Sequence, residues 1–290
     1  MICTDKRFTG IYKCRDRKLL IGKKTLIMGI LNCTPDSFSD GGRYTDLDAC
    51  LKQADILVRS GCDVIDIGGE ATNPRVQPIS AEEEISRIVP VITALRAKYD
   101  IPLSVDTYKA EVAKAALECG CDIINDITGL LGDGKMAQTV AAYNAGVILM
   151  FNSRTFGAGE QDPGCDILKR AEEEVLKSIA VAHEAGIPDE SIMTDPGIGF
   201  GTSREQDGIL TKCVSRLGFE GKYPVLYAAS RKRYVKALSG KEDVTEKELD
   251  EITAGLSVTA AAAGACMVRV HDVSCSRMAL NAFDSVFYGN

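Results

Sequence analysis

No stretch of this 290-residue chain approaches the roughly 20 uninterrupted apolar residues that a membrane span requires. The first residues, Met1-Ile2-Cys3-Thr4-Asp5-Lys6-Arg7, have no apolar segment after their charges, so a secretory signal is not expected and a cytoplasmic protein is. Positive charge is in short supply, with 34 Lys and Arg against 41 Asp and Glu, a formal net charge of -7. That balance argues against a general affinity for nucleic acid or anionic membrane, and any strongly anionic ligand needs a local cationic site. Inter-domain linkers, internal repeats and low-complexity tracts are missing too. The 11 cysteines are too thinly spread for a disulfide scaffold, and Cys119-x-Cys121 has neither a zinc nor a redox spacing. Several, such as Cys119, Cys213 and Cys266, fall within apolar patterns and are expected to be buried small hydrophobes in a reducing compartment.

What is present is one pattern repeated eight times. Short apolar strands are expected at 25–32, 63–69, 102–107, 123–127, 146–151, 192–197, 224–230 and 267–272. Most lack clean alternation, as happens when both faces of a parallel strand are covered. Helical stripes lie between them. Ile85, Ile88, Val89, Ile92 and Leu95 form one, and Ile209, Leu210, Cys213, Val214 and Leu217 another. Ser80-x-x-Glu83 has the spacing of a capping box. The pattern predicts a single (β/α)8 TIM barrel over 23–290, preceded by an extension, 1–22, that forms a hairpin or plug. An open doubly wound sheet is the alternative, but it lacks a Gly-x-Gly-x-x-Gly turn after the first strand.

Polar groups gather at the strand ends, where a barrel enzyme has its active site. Asn32, Asp66, Glu70, Asp106, Asn125, Asp126 and Asp195 fall there, with Ser230, Arg231 and Lys232 after the seventh strand and Arg269 and His271 on the eighth. A single carboxylate or amide at a strand end is ordinarily a helix cap, but caps have no use for Lys232, Arg269 or His271. Asp106, Asn125 and Asp195 suit the N–H edge of a planar nitrogen heterocycle, with Lys232 donating to a ring carbonyl. Arg269 and His271 make a cationic end suited to phosphate, and Asn32 offers a neutral oxygen suited to Mg2+. The polar loop from Thr34 to Gly42 suits a water-excluding lid. His183 and the Glu82–Glu84 and Glu172–Glu174 runs read as helix faces.

These residues also spell out motifs. The run from Met28 to Gly42 (MGILNCTPDSFSDGG), Asp66 to Glu70 (DIGGE), Ser104 to Thr107 (SVDT) and Asn125 to Ile127 (NDI) resemble the dihydropteroate synthase family. So do Asp195 to Phe200 (DPGIGF), Ser230 to Lys232 (SRK) and Arg269 to Asp272 (RVHD). The resemblance runs in order from about residue 24 to the last helix. It implies condensation of 6-hydroxymethyl-7,8-dihydropterin pyrophosphate with p-aminobenzoate in folate biosynthesis, a Mg2+ cofactor, a homodimer and a sulfonamide target. It further implies that Asp106, Asn125, Asp195 and Lys232 hold the pterin, that Met150 and Phe200 line its slot, and that Asn32 binds Mg2+. Arg269 and His271 would grip the diphosphate, Asp36 would join Lys232, Arg269 and His271 as catalytic residues, and Thr72, Asn73 and Arg233 would complete the substrate contacts.

Four departures from the family pattern stand out. Ala71-Thr72-Asn73-Pro74 stands where Ser-Thr-Arg-Pro is usual, and Met150-Phe151-Asn152 where Met-His-Met is. Ala228 replaces a glycine and Arg233 a serine. A paralogue with an altered second substrate, or one with little turnover, therefore stays open beside the synthase. So does a methyltetrahydrofolate-type methyltransferase, although that group is not expected to carry the complete first loop or the Arg269-Val-His271 end.

Overall fold

Two short antiparallel strands, β1 (Gly10–Cys14) and β2 (Arg17–Ile21), form a hairpin ahead of the barrel. The structure is a computed structural model and describes residues 6–34, 43–70, 77–154 and 165–289, the side chains of 43–46 excepted. Eight parallel strands follow: β3 (Leu26–Asn32), β4 (Val64–Gly68), β5 (Leu103–Asp106), β6 (Ile123–Asp126), β7 (Gly146–Met150), β8 (Ile192–Asp195), β9 (Leu226–Tyr227) and β10 (Met267–Val270). Their order around the sheet is β8-β7-β6-β5-β4-β3-β10-β9, and a bridge between Thr194 and Val225 brings the two outer strands together. Helices intervene between successive strands and cover the outside. This is the (β/α)8 barrel that the alternation predicts, rather than an open sheet.

Successive strand side chains point to opposite faces, which divides the core in two. Ile27, Leu31, Ile65, Ile67, Val105, Ile124, Val147 and Leu149 face outward and pack against the helices. Leu26, Met28, Val64, Ile123, Ile148, Met193, Leu226 and Met267 face inward and fill the amino-terminal end of the barrel together with Tyr12, Cys14 and Ile21 of the hairpin. The hairpin thus plugs the bottom. Its Tyr12 hydroxyl donates to the Val147 carbonyl at 3.3 Å. Gly146 leaves room for that ring, since a Cβ there would lie 2.5 Å from the Tyr12 hydroxyl.

At the helix starts, Ser80 accepts the Glu83 N–H at 3.2 Å, but the Glu83 carboxylate turns to Arg87. Reciprocal capping boxes instead open the helices Arg204–Lys212 (Ser203 with Gln206) and Glu246–Ala262 (Thr245 with Glu248). Nine of the described cysteines are free thiols. Cys213 departs from the expectation for the cysteines, being disulfide-bonded. Among the described residues, no helix is long and apolar enough to cross a membrane.

Candidate active site

The strand period that puts Val64, Ile123, Met193 and Met267 into the barrel puts Asp66, Asn125, Asp195 and Arg269 on the same face one step nearer the carboxyl ends. Arg269 of β10 reaches across to β4 and β5. Its Nε donates to Asp66 Oδ2 at 2.6 Å and its Nη2 to Asp106 Oδ2 at 2.8 Å. Asn125 Nδ2 donates to the same Asp66 oxygen at 3.3 Å. The second oxygen of each aspartate, Asp66 Oδ1 and Asp106 Oδ1, is buried without a hydrogen-bond partner. Asp126, next to Asn125, falls on the outer face and ties down its own turn, accepting from Thr128 N at 2.7 Å and Leu130 N at 2.9 Å.

Asp195 at the end of β8 accepts from Gly197 N at 2.7 Å. Gly197 has φ +67 and passes so close to β7 that a Cβ would lie 1.8 Å from the Phe151 carbonyl oxygen, so only glycine fits. The same loop carries Ile198, whose carbonyl accepts from Lys232 Nζ at 2.8 Å, and Phe200, whose ring centre lies 4.5 Å from that ammonium. Arg154 stands over the same ring at 5.7 Å.

Lys232 is aimed by a strained turn. The preceding Arg231 adopts the left-handed conformation, φ 56, although it is not glycine. Its guanidinium is clamped by Asp250 through two parallel hydrogen bonds of 2.8 and 2.7 Å, with Glu246 at 2.6 Å. Arg231 therefore anchors the turn to the helix Glu246–Ala262 while its neighbours Ser230 and Lys232 are turned elsewhere. Ser230 Oγ lies 2.9 Å from His271 Nδ1 and accepts the His271 backbone N–H at 3.2 Å.

Burial sets the charges. It pushes Asp106 up to about 7, against the pull of Arg269, and Asp195 up to about 6, against that of Lys232. Burial brings Lys232 down to about 8, with Asp195 opposing and Arg269 reinforcing. Burial, reinforced by Arg231, Arg269 and Lys232, takes His271 down to about 3, which leaves the imidazole neutral at pH 7. The sequence reading treats Arg269 and His271 as a cationic end. In the structure two of the Arg269 donor groups are engaged by carboxylates, and His271 brings hydrogen bonding without charge.

Other expected residues fall around this centre. Met150 and Asp195 are register partners on β7 and β8, and both are buried. Asn32 ends β3 with an exposed side chain, its Oδ1 3.7 Å from where a Cβ on Gly68 would lie. Arg233 starts the helix Arg233–Leu238 and lines a pocket of about 250 Å³ with Gly199, Thr202, Arg204, Asp207, Tyr234 and Ala237. It is close enough to Arg154 to hold that guanidinium below its usual pKa, after burial. Asn152 is a strut, donating to the Ile127 carbonyl at 2.9 Å and accepting from Arg154 N at 3.1 Å. Phe151 and Ala228 are buried. Asp36, Thr72, Asn73 and the rest of the expected lid beyond Thr34 lie outside the described residues.

Three contributors, of which Asp66 and Ser230 are legible as strand-end residues, have partners that a reading of the sequence for substrate contacts does not supply. Asp66 anchors Arg269, and Ser230 meets His271. Lys109 Nζ ties together Glu70 (2.5 Å), Glu84 (2.7 Å) and the Ile79 carbonyl (2.8 Å), joining the end of β4 to the start of the helix Ala81–Lys98. For Asp66 a signal was available, because it shares the Val64 face. For the other two nothing local in the sequence announces the contact.

A (β/α)8 barrel whose carboxyl-end mouth gathers acceptors, a lysine over an aromatic ring and an arginine between two aspartates defines a class of barrel enzymes that bind a flat, nitrogen-rich ligand. Comparison with known proteins narrows the class. The sequence model of the family described as "Pterin binding enzyme" matches residues 28–271. The chain belongs to this family, and within it to the dihydropteroate synthases. It is 45% identical to the dihydropteroate synthase of Streptococcus pyogenes serotype M1 over 262 residues, covering 90% of this chain and 95% of that one. Among solved structures, a dihydropteroate synthase of Clostridium difficile with pteroic acid superposes with a TM-score of 0.86 at 38% identity, covering 92% of this chain and 98% of that one. The Xanthomonas albilineans enzyme with 4-aminobenzoic acid gives 0.86 at 36% identity over 98% of both chains.

Proposed function

We infer that this chain is a transferase that joins 6-hydroxymethyl-7,8-dihydropterin pyrophosphate to p-aminobenzoate, giving 7,8-dihydropteroate and pyrophosphate. The observation that carries the reading is the gathering of Asp106, Asn125, Asp195 and Lys232 in one buried mouth. Buried acceptors need donors, and the N–H and NH2 edge of a pterin supplies them in fixed directions. Lys232 donates to the ring carbonyl, while Met150 and Phe200 give the ring apolar walls.

The chain's part in the reaction is positioning and electrostatics. Asp195, ionised above about pH 6, presents negative charge to the cation that develops at the exocyclic carbon of the pterin, and Asp106 adds to it as it ionises above about pH 7. The Nη1 donors of Arg269 and the His271 imidazole receive charge that builds on the departing pyrophosphate. The arylamine is neutral and attacks without a strong base. The second substrate belongs on the side of Arg233 and Arg154, where the chain departs from the family pattern.

Among the described residues, no cluster of three or more His, Cys, Asp or Glu could hold a metal ion by itself. The exposed amide of Asn32 nevertheless fits Mg2+, which commonly takes one or two protein ligands alongside phosphate oxygens. Asn32 would hold the ion, which supplies Lewis-acid stabilisation to the pyrophosphate. The homodimer and a cytoplasmic location complete the reading. Its test is mass-spectrometric detection of 7,8-dihydropteroate from the two substrates, with Asp195→Ala as the control that forms it roughly 10- to 100-fold more slowly at limiting pterin; an undiminished rate in that variant, or no product from the wild type, contradicts it.

A further inference from the structure

Three atoms of Ser230 and His271 meet within 3.2 Å, and their protons can be counted. The backbone N–H of His271 occupies one lone pair of Ser230 Oγ, because an amide can only donate. The contact between Oγ and His271 Nδ1, at 2.9 Å, then has two possible directions. If Nδ1 carried the proton, Oγ would accept twice and its own O–H would point at nothing, since among the described residues Ser230 Oγ has no third partner. Ser230 is buried, so an orphaned hydroxyl proton is costly. Donation from Oγ–H to Nδ1 satisfies all three groups.

We propose that Ser230 is a positioning residue that fixes His271 as the Nε2–H tautomer, so that the imidazole meets the departing pyrophosphate as an uncharged hydrogen-bond donor. Among the described residues Nε2 has no hydrogen-bond partner, and the side chain is part-exposed, which leaves its N–H for a ligand. The groups that bear on the ring are cations: Arg231 on the turn after β9, Lys232 beside it, and Arg269 two residues back on β10. Asp250 and Glu246 face Arg231 rather than the ring. An imidazolium would be a fourth positive charge in this corner. A neutral donor adds a directed hydrogen bond without that repulsion, and Ser230 at the start of the SRK motif gains a task distinct from that of Lys232. The ligand half of the proposal rests on the function inferred above; the tautomer does not.

The chain has two histidines, His183 and His271, so imaging the imidazole nitrogens by NMR in the full-length protein labelled with 15N-histidine gives two spin systems, assigned with His183→Gln. At pH 7.5 the account expects His271 with a bare Nδ1 and a protonated Nε2, and expects the Nε2–H signal to move when inorganic pyrophosphate is added at fixed Mg2+. Ser230→Ala should release the tautomer preference and weaken pyrophosphate binding roughly two- to tenfold, the worth of one neutral hydrogen bond; Ser230→Thr should restore both. A protonated Nδ1 or an imidazolium in the wild type overturns the proposal, and that spectrum decides even if Ser230→Ala does not fold. An Nε2–H signal that pyrophosphate leaves unmoved overturns the ligand half. Synthase activity is read separately, by product formation, so the function and the tautomer can fail independently.

Discussion

Arg269 and Asp66 stand 203 positions apart in the chain and meet at 2.6 Å inside the barrel. Asp66 is fully buried and Arg269 shows 15% of its side chain. Removing Asp66 leaves Arg269 paired with Asp106 alone; loss of a buried partner costs up to about 3–5 kcal/mol, and less where a second carboxylate remains. Asp66→Ala should therefore lower stability by an amount below that limit and misdirect the guanidinium, with turnover falling further than stability explains. Denaturant unfolding with steady-state kinetics on the folded fraction checks this. A variant with unchanged midpoint and full turnover would remove Asp66 from the site.

Asp195 offers a prediction with a sign. Its folded pKa of about 6 lies above the ordinary 3.8, so the protonated form is favoured in the fold. Stability from this group is fully present below pH 3.8 and is lost as pH rises through about 6. Asp195→Asn avoids that loss. It should match the wild type near pH 4 and exceed it at pH 7.5 by at most about 3 kcal/mol. Pterin affinity should fall 10- to 100-fold, as when a charge-assisted acceptor is lost. Equal stability of the two proteins at pH 7.5 would mean that the carboxylate is not penalised by burial.

Lys232 supplies the opposite limb. Its pKa of about 8 means that the ammonium is lost as pH rises past that value, while Asp195 gains its charge as pH rises past about 6. Binding of the pterin substrate should be best between those limits. In Lys232→Met the alkaline limb should disappear, and a retained limb near 8 would assign it to another group. Calorimetric titration across pH 5–9 reads both.

How far the site is legible in the sequence depends on the range of the interaction. The inward set Asp66, Asn125, Asp195 and Arg269 follows from a two-residue period and a strand end, and the period also separates Asn125 from the outward Asp126. The Arg269–Asp66–Asp106 contact joins three strands, and no local pattern contains it. Strand β9 is legible in place but not in extent. Residues 224–230 read as one strand, yet the ladder stops after Tyr227, and the chain goes on into the left-handed turn at Arg231. That turn is held by Asp250, a partner 19 residues away. The Ser80 capping box fails in its second half because Arg87, one turn on, competes for Glu83.

The departures from the family pattern define a fourth test. Arg233 lines the pocket beside Phe200's loop and bears on Arg154, whereas Asn73 brings no charge to the second loop. A guanidinium meets a carboxylate through two parallel bonds and an amide does not. Arg233→Ser should raise the KM for p-aminobenzoate more than the KM for the pterin, and Asn73→Arg should partly rescue it. Additive, small effects in the single and double variants would mean that Arg233 does not carry the second substrate's charge.

The most direct test is pyrophosphate release by the wild-type protein from 6-hydroxymethyl-7,8-dihydropterin pyrophosphate, with Mg2+, in the presence and absence of p-aminobenzoate. The account predicts release that depends on p-aminobenzoate and is matched one for one by 7,8-dihydropteroate. Release that p-aminobenzoate does not change, or tight pterin binding with no release at all, would contradict it.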